Sequence, residues 1–178
     1  MRLCKGASAG TLGGLAGSWT MNLFQTLLGK ISAKKSEPDQ QTEQDESPGD
    51  NRPARSQSQG NEPATAVLAE KVSERVLHHR LTEEEKKIAE PAVHYGYGML
   101  VGALYGALAE EVPVATACYG TLYSSALWLL GDEMAVPMLK LSKPPTQYPP
   151  KTHLSAFASH LVYGLTAESV RRMVRAAL

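Results

Sequence analysis

Hydrophobic and polar positions alternate along this chain in long blocks. The most telling apolar block is Pro91–Ala109, PAVHYGYGMLVGALYGALA, which carries no charge. Its Gly98, Gly102 and Gly106 stand four residues apart, so at helical pitch they share one stripe. Along such a stripe a second helix can approach to near backbone contact. A second block, Ala7–Leu28, is also uncharged and holds two staggered pairs, Gly10 with Gly14 and Gly13 with Gly17. About 20 helical residues cover the ~30 Å of a bilayer core, so this block is long enough to cross one. In a water-borne helix each of these glycines would cost up to ~1 kcal/mol relative to alanine. In lipid the helix persists, because its backbone has no water to turn to. Val114–Gly131 and Thr152–Val170 supply a third and a fourth helix. The strictly uncharged part of the fourth, Leu154–Ala167, is too short to span alone, which puts Glu168 within or at the edge of the bilayer. The expected fold is all-α, a four-helix transmembrane bundle with glycine-rich helix interfaces.

The polar blocks divide the chain. Residues 1–30 form the first transmembrane helix, and Lys30, Lys34 and Lys35 mark its exit into water. Residues 31–63 form a polar linker. Within its Ser36–Pro63 stretch Ala54 is the sole hydrophobic residue, so the segment buries too little apolar area to offset its ordering entropy and is expected to be disordered. Residues 64–90 carry an amphipathic, juxtamembrane pattern. Val67, Leu68, Val72, Val76 and Leu77 recur at helical spacing opposite Glu70, Lys71, Glu74 and Arg75. Thr82-Glu83-Glu84-Glu85 fits a capping box, so a new helix starts there, and Pro91 either begins the next helix or kinks a continuous one. Residues 91–178 hold the other three membrane helices. Glu110 and Glu111 end the second, Asp132 and Glu133 lie just beyond the third, and SKPPTQYPPK reads as a stiff extended connector.

Composition changes this picture little. Acidic and basic residues balance at 18 each, which gives no case for nucleic acid as a partner. The mean hydropathy of −0.24 averages two unlike populations. Cys4 and Cys118 have neither metal spacing nor a local reason to pair. Arg2 and Lys5 before an apolar run imitate a signal peptide, but the run is long and lacks a clear small-x-small cleavage site, so it reads as a retained helix.

A short internal repeat accompanies the helices. His94, Tyr97 and Gly98 match His160, Tyr163 and Gly164 as H-x-x-Y-G, and Gly10-Thr11-Leu12 matches Gly120-Thr121-Leu122. Helices one and two would then correspond to three and four, with the same orientation about an axis along the membrane normal.

Ionisable side chains inside a bilayer cost near ~3 kcal/mol at its centre. That makes His94, His160 and Glu168 the candidate intramembrane polar site. His160, Gly164 and Glu168 share one face, and His94 shares the stripe of Gly98 and Gly102. If helices two and four packed through these stripes, the three groups would meet and could relay protons. The plainer alternative has each histidine fixing packing, with Glu168 paired to Arg171 or Arg172. Gly10, Gly14, Gly98, Gly102, Gly106 and Gly164 are the expected helix-packing positions. His78 and His79 lack partners at ligand spacing, so no metal is expected. No nucleophile elbow, phosphate loop, paired-carboxylate site or redox motif occurs, so neither enzyme activity nor a cofactor is expected.

The glycine-rich helix His94–Glu110, its exit GALYGALAEEVP and above all SHLVYGLTAESVRR, Ser159–Arg172, resemble the YagU-like family of small bacterial inner-membrane proteins. The similarity covers roughly Ala64–Arg175; the long polar stretch Ser36–Pro63 departs from it. The resemblance implies a multi-pass protein of the inner membrane with no assigned reaction or ligand. The expected role is structural or adaptor-like, with the lipid bilayer as partner and self-association through the glycine stripes. A small transporter or proton-linked channel using His94, His160 and Glu168 is the alternative, and a soluble helical protein with a greasy core is the third reading.

Overall fold

The computed structural model describes residues 1–35 and 63–178. The expected disordered linker therefore lies outside the described residues, apart from the end of the first helix and Pro63. Every regular element among the described residues is helical: α1 Arg2–Lys35, α2 Ala64–Val72, α3 Glu83–Glu111, α4 Thr121–Leu127, α5 Val136–Met138 and α6 Pro150–Ala177.

The helix α1 is the hub, and its two staggered glycine pairs explain why. Gly6, Gly10 and Gly14 face α3, where they meet Gly106, Gly102 and Gly98 in antiparallel order. Gly13 and Gly17 lie on a different face and meet Ala167 and Tyr163 of α6, again antiparallel. A Cβ added at Gly10, Gly14, Gly102 or Gly106 would run into the backbone of the opposite helix. The two backbones therefore touch along about two helical turns. Alternation of the two stripes lets one helix serve two neighbours.

Thr82 and Glu85 start α3 as a reciprocal capping box. The Thr82 amide donates to Glu85 Oε2 at 2.7 Å and the Glu85 amide to Thr82 Oγ1 at 3.3 Å. Pro91 lies inside α3, which runs through it without interruption.

The third expected helix, 114–131, is not one helix. The chain bends by 120° between α3 and the segment Pro113–Met138. Pro113–Gly120 winds as a 3₁₀ turn broken at Ala117, Cys118 and Tyr119, and Cys118 and Tyr119 adopt left-handed backbone angles, φ 51° and 59°. Gly120, at φ 82°, completes the reversal and lets α4 begin at Thr121. The helix then continues past the expected end at Gly131, through a π-wound stretch Trp128–Ala135, into α5. Asp132 and Glu133 are thus inside a helical segment and not beyond it. The connector SKPPTQYPPK holds one 3₁₀ turn, Pro145–Gln147, and its last residues already open α6.

Small and polar side chains are prominent inside the bundle. Beside Tyr105, Tyr163, Met21, Val101 and Leu141 the buried set is small or polar: Ala9, Ala167, Ser18, Ser124, Ser159 and Glu168 among others. Large apolar side chains stand outside, as Leu12, Leu15, Trp19, Leu23 and Leu27 on α1 and Leu100, Leu104 and Leu108 on α3. No single described helix is long and apolar enough to cross a membrane; α3 taken with Pro113–Met138 passes that test as a bent pair.

Candidate functional site

The histidine repeats bring two helices to one place. His94 stands near the start of the apolar part of α3, and His160 sits one and a half turns or so into the apolar part of α6. Both line a cavity of about 700 Å³ at the end of the bundle that α2 covers. The H-x-x-Y-G pattern explains why they match. Gly98 seats on Gly14 and Ser18 of α1, and Gly164 seats on Gly120 and Ser124 of α4. Each histidine lies four residues before its seat, so each projects into the same layer of the bundle. The partner stretches correspond as Gly14-x-x-x-Ser18 and Gly120-x-x-x-Ser124, one helical turn from the register that Gly10-Thr11-Leu12 suggested.

The glycine stripe of α3 packs on α1 and not on α6, so the expected meeting of His94, His160 and Glu168 does not occur as drawn. His94 and His160 share the cavity. Glu168 lies eight residues farther along α6, about 12 Å of rise from His160, in a separate cluster.

In the cavity His160 is buried, and its Nδ1 lies 3.0 Å from the Ala156 carbonyl oxygen. The nitrogen facing a carbonyl carries the proton. The other, Nε2, points to Asp132 Oδ2 at 3.7 Å. One ring nitrogen of His94 reaches the Ser18 carbonyl; Nε2 is buried with no hydrogen-bond partner. The π-wound stretch is what aims Asp132 this way while Leu129 and Leu130 remain outside. Beside them His153 Nδ1 lies 2.6 Å from Glu133 Oε1 and its Nε2 lies 3.0 Å from the Pro145 carbonyl. Both ring nitrogens face oxygens, so the ring is used on both edges and is paired with Glu133. The Tyr163 hydroxyl donates to the Gly98 carbonyl at 2.8 Å, tying the two histidine helices together below the cavity.

The second cluster is the opposite end of the bundle. Glu168 is fully buried and accepts from the Tyr105 hydroxyl at 2.7 Å, from Arg171 Nε and Nη2 at 2.7 and 2.9 Å, and from Arg172 Nε at 2.6 Å. Arg172 also lies over the Tyr119 ring, 4.6 Å from its centroid. Farther out, Arg175 makes a paired contact with Glu110 at 2.6 and 3.1 Å. This is an ion cluster in which both oxygens of the Glu168 carboxylate are taken up by Tyr105, Arg171 and Arg172. It can hold helices together and offers no free acid or base.

Asp132, Tyr105 and the two seating serines, Ser18 and Ser124, are absent from the sequence-derived site. Asp132 reads as a solvated cap because the sequence does not announce a π-wound continuation. The spacing G-x-x-x-S repeated before each H-x-x-Y-G helix was the available signal for the serines. Elsewhere, His79 lies 3.1 Å from Glu85 and His78 closes the preceding helical turn with a left-handed backbone. Among the described residues no group of three or more His, Cys, Asp or Glu is placed to hold a metal ion.

Residues 49–169 match the sequence profile of a family described as a protein of unknown function, DUF1440. No curated protein and no solved structure matches the chain.

Proposed function

The chain belongs to the DUF1440 family of proteins of unknown function, and from that premise we propose that it is a multi-pass protein of the bacterial inner membrane, YagU-like, whose bundle is α1, α3, the Pro113–Met138 segment and α6. Its role is structural or adaptor-like and non-enzymatic. The observation that carries this is the distribution of residues. Leucines in i, i+4 rows face outward on α1 and α3, while glycines, serines and a fully buried carboxylate face inward. Helices in lipid associate through small residues and polar contacts, since lipid tails already solvate leucine. Average hydropathy undercounts such helices, because the glycines and serines that lower it are hidden from the lipid.

Carbonate extraction tests the reading. The protein stays with the membrane pellet and needs detergent to be monodisperse. Release into the supernatant, or monodisperse behaviour in plain buffer, overturns it.

A second reading, proton-linked transport, is favoured by one observation, the cavity that His94 and His160 share. Glu168 takes no part in it, since Arg171 and Arg172 hold it. Reconstituted protein would show pH-dependent flux that His160→Ala abolishes with the fold intact. A wild type without flux ends that reading.

A further inference from the structure

We propose that the histidine-lined cavity is a binding site for a small amphiphilic ammonium or guanidinium ion. The inference concerns binding alone and requires neither flux nor any reaction.

Two hydrogen-bond acceptors stand together in the cavity. One is His160 Nε2, the bare nitrogen of a ring whose Nδ1 is committed to the Ala156 carbonyl; His94 Nε2 is also unpartnered but is closed off from the cavity space. The other is the Asp132 carboxylate, whose nearest described partner is His160 at 3.7 Å, too far for a close hydrogen bond. Glu90 adds a second carboxylate to the lining and makes no ion pair with any described residue. The other lining acid, Glu133, is paired with His153. The lining holds three carboxylates, Glu90, Asp132 and Glu133, against one lysine, Lys143, and the Glu133-paired His153, so an anion is disfavoured. A neutral alcohol has one proton to donate and no charge to set against Asp132 and Glu90. A protonated primary amine has three N–H donors and a positive charge, and a guanidinium has five.

The rest of the lining sets the shape of the ligand. Met21, Leu68, Val101, Leu127 and Val136 supply the apolar lining, Leu68 from α2 and Met21, Val101 and Leu127 from the core around Tyr163, while Tyr97 lies near Asp132. A cation with a short apolar body would place its head beside Asp132 and His160 and its body against Leu68. Mostly apolar walls with a few convergent polar groups are the usual make-up of a small-molecule site.

Calorimetric titration of the detergent-purified full chain tests this with matched probes: 2-phenylethylammonium, the neutral 2-phenylethanol and the anionic 3-phenylpropionate. Phenylethylammonium should bind saturably, and the alcohol and the carboxylate at least about tenfold more weakly, as expected from loss of a charge-assisted hydrogen bond. Asp132→Asn should weaken the ammonium about tenfold and leave the alcohol unchanged. Should Asp132→Asn lose the helical circular dichroism of the wild type, Leu68→Trp serves instead, since it fills the apolar wall and should abolish binding. The proposal is overturned if ammonium and alcohol bind alike, if the carboxylate binds best, if no saturable binding of the ammonium occurs up to about 10 mM, or if the folded variant binds as the wild type does. Each of these results is independent of carbonate extraction, so failure here leaves the membrane reading standing.

Discussion

The Tyr105 hydroxyl donates to Glu168 Oε2 at 2.7 Å, and this one bond joins the C-terminal part of α3 to the arginine-rich end of α6. The carboxylate it reaches is fully buried and is fully used by Tyr105, Arg171 and Arg172. A buried ion cluster of this kind is expensive to form, and far more expensive to half-remove. Glu168→Gln keeps the shape but leaves the buried Arg171 guanidinium without its anion, and should cost about 3 kcal/mol or more in detergent unfolding. Tyr105→Phe removes one neutral donor to a charged acceptor and should cost about 2 kcal/mol. The two should be non-additive, because they share the carboxylate, and a double-mutant cycle reads the coupling. Additive losses would mean that the pair does not act as a unit.

The α1–α3 contact makes an opposed pair of predictions from one residue type. A Cβ at Gly102 would strike the Gly10 carbonyl and come within 2.7 Å of Gly14 Cα, both backbone and unable to step aside. Gly102→Ala should therefore force the helices apart and cost at least about 2 kcal/mol, more than the usual gain in helix propensity can offset. Gly96 lies on the same helix with nothing within 4 Å of its added Cβ. Gly96→Ala should be neutral or stabilising by up to about 1 kcal/mol. Melting temperatures of the two variants in one detergent, followed by circular dichroism, check the contrast.

The parts of the fold legible in the sequence are those fixed by local spacing. The glycine stripes, the capping box at Thr82 and the H-x-x-Y-G pair each follow from contacts within one or two turns of a helix. What a stripe packs against is a long-range fact, and spacing alone does not say whether Gly98 faces Gly164 or Gly14. In the structure Gly98 meets Ser18 and Gly14 of α1. The break at Cys118 and Tyr119 was illegible for a different reason. Neither residue favours a left-handed backbone, so tertiary packing imposes it against local preference. The same holds for Asp132, whose direction depends on the π-wound turn around it.

The capping box at the head of α3 carries a pH dependence with a definite sign. The Thr82 backbone amide, then His79 and the Thr82 hydroxyl, hold the Glu85 carboxylate down to a pKa of about 2, from an ordinary 4.5. A depressed carboxylate stabilises the fold above its unfolded pKa and loses that contribution as pH falls. The contribution is therefore complete above about pH 4.5 and declines as pH falls from there through about 2. Proton-exchange protection of the first-turn amides of α3 should fall over this window in the wild type. In Glu85→Gln it should be low and flat across the same range. A titration of the Glu85 side-chain carboxyl carbon by NMR with a midpoint near 4.5 would remove the prediction.

The left-handed pair Cys118–Tyr119 yields the most economical stabilising change. A non-glycine residue in that conformation costs about 1–2 kcal/mol, because Cβ crowds the carbonyl oxygen. Cys118 is exposed and its thiol is free, so truncation to glycine removes that crowding with little packing to lose. Glycine also frees the unfolded chain, which takes back part of the gain. The net expectation for Cys118→Gly is a stabilisation of about 0.5–1 kcal/mol. Tyr119 has the same backbone strain, but its ring lies under the Arg172 guanidinium at 4.6 Å and supports the partner of Glu168. Tyr119→Gly should therefore gain nothing, or lose stability, even though φ 59° suits glycine better than tyrosine. Thermal unfolding of both variants beside the wild type separates the backbone from the side chain. A Tyr119→Gly protein at least as stable as Cys118→Gly would mean that the stacked arginine contributes nothing to the bundle.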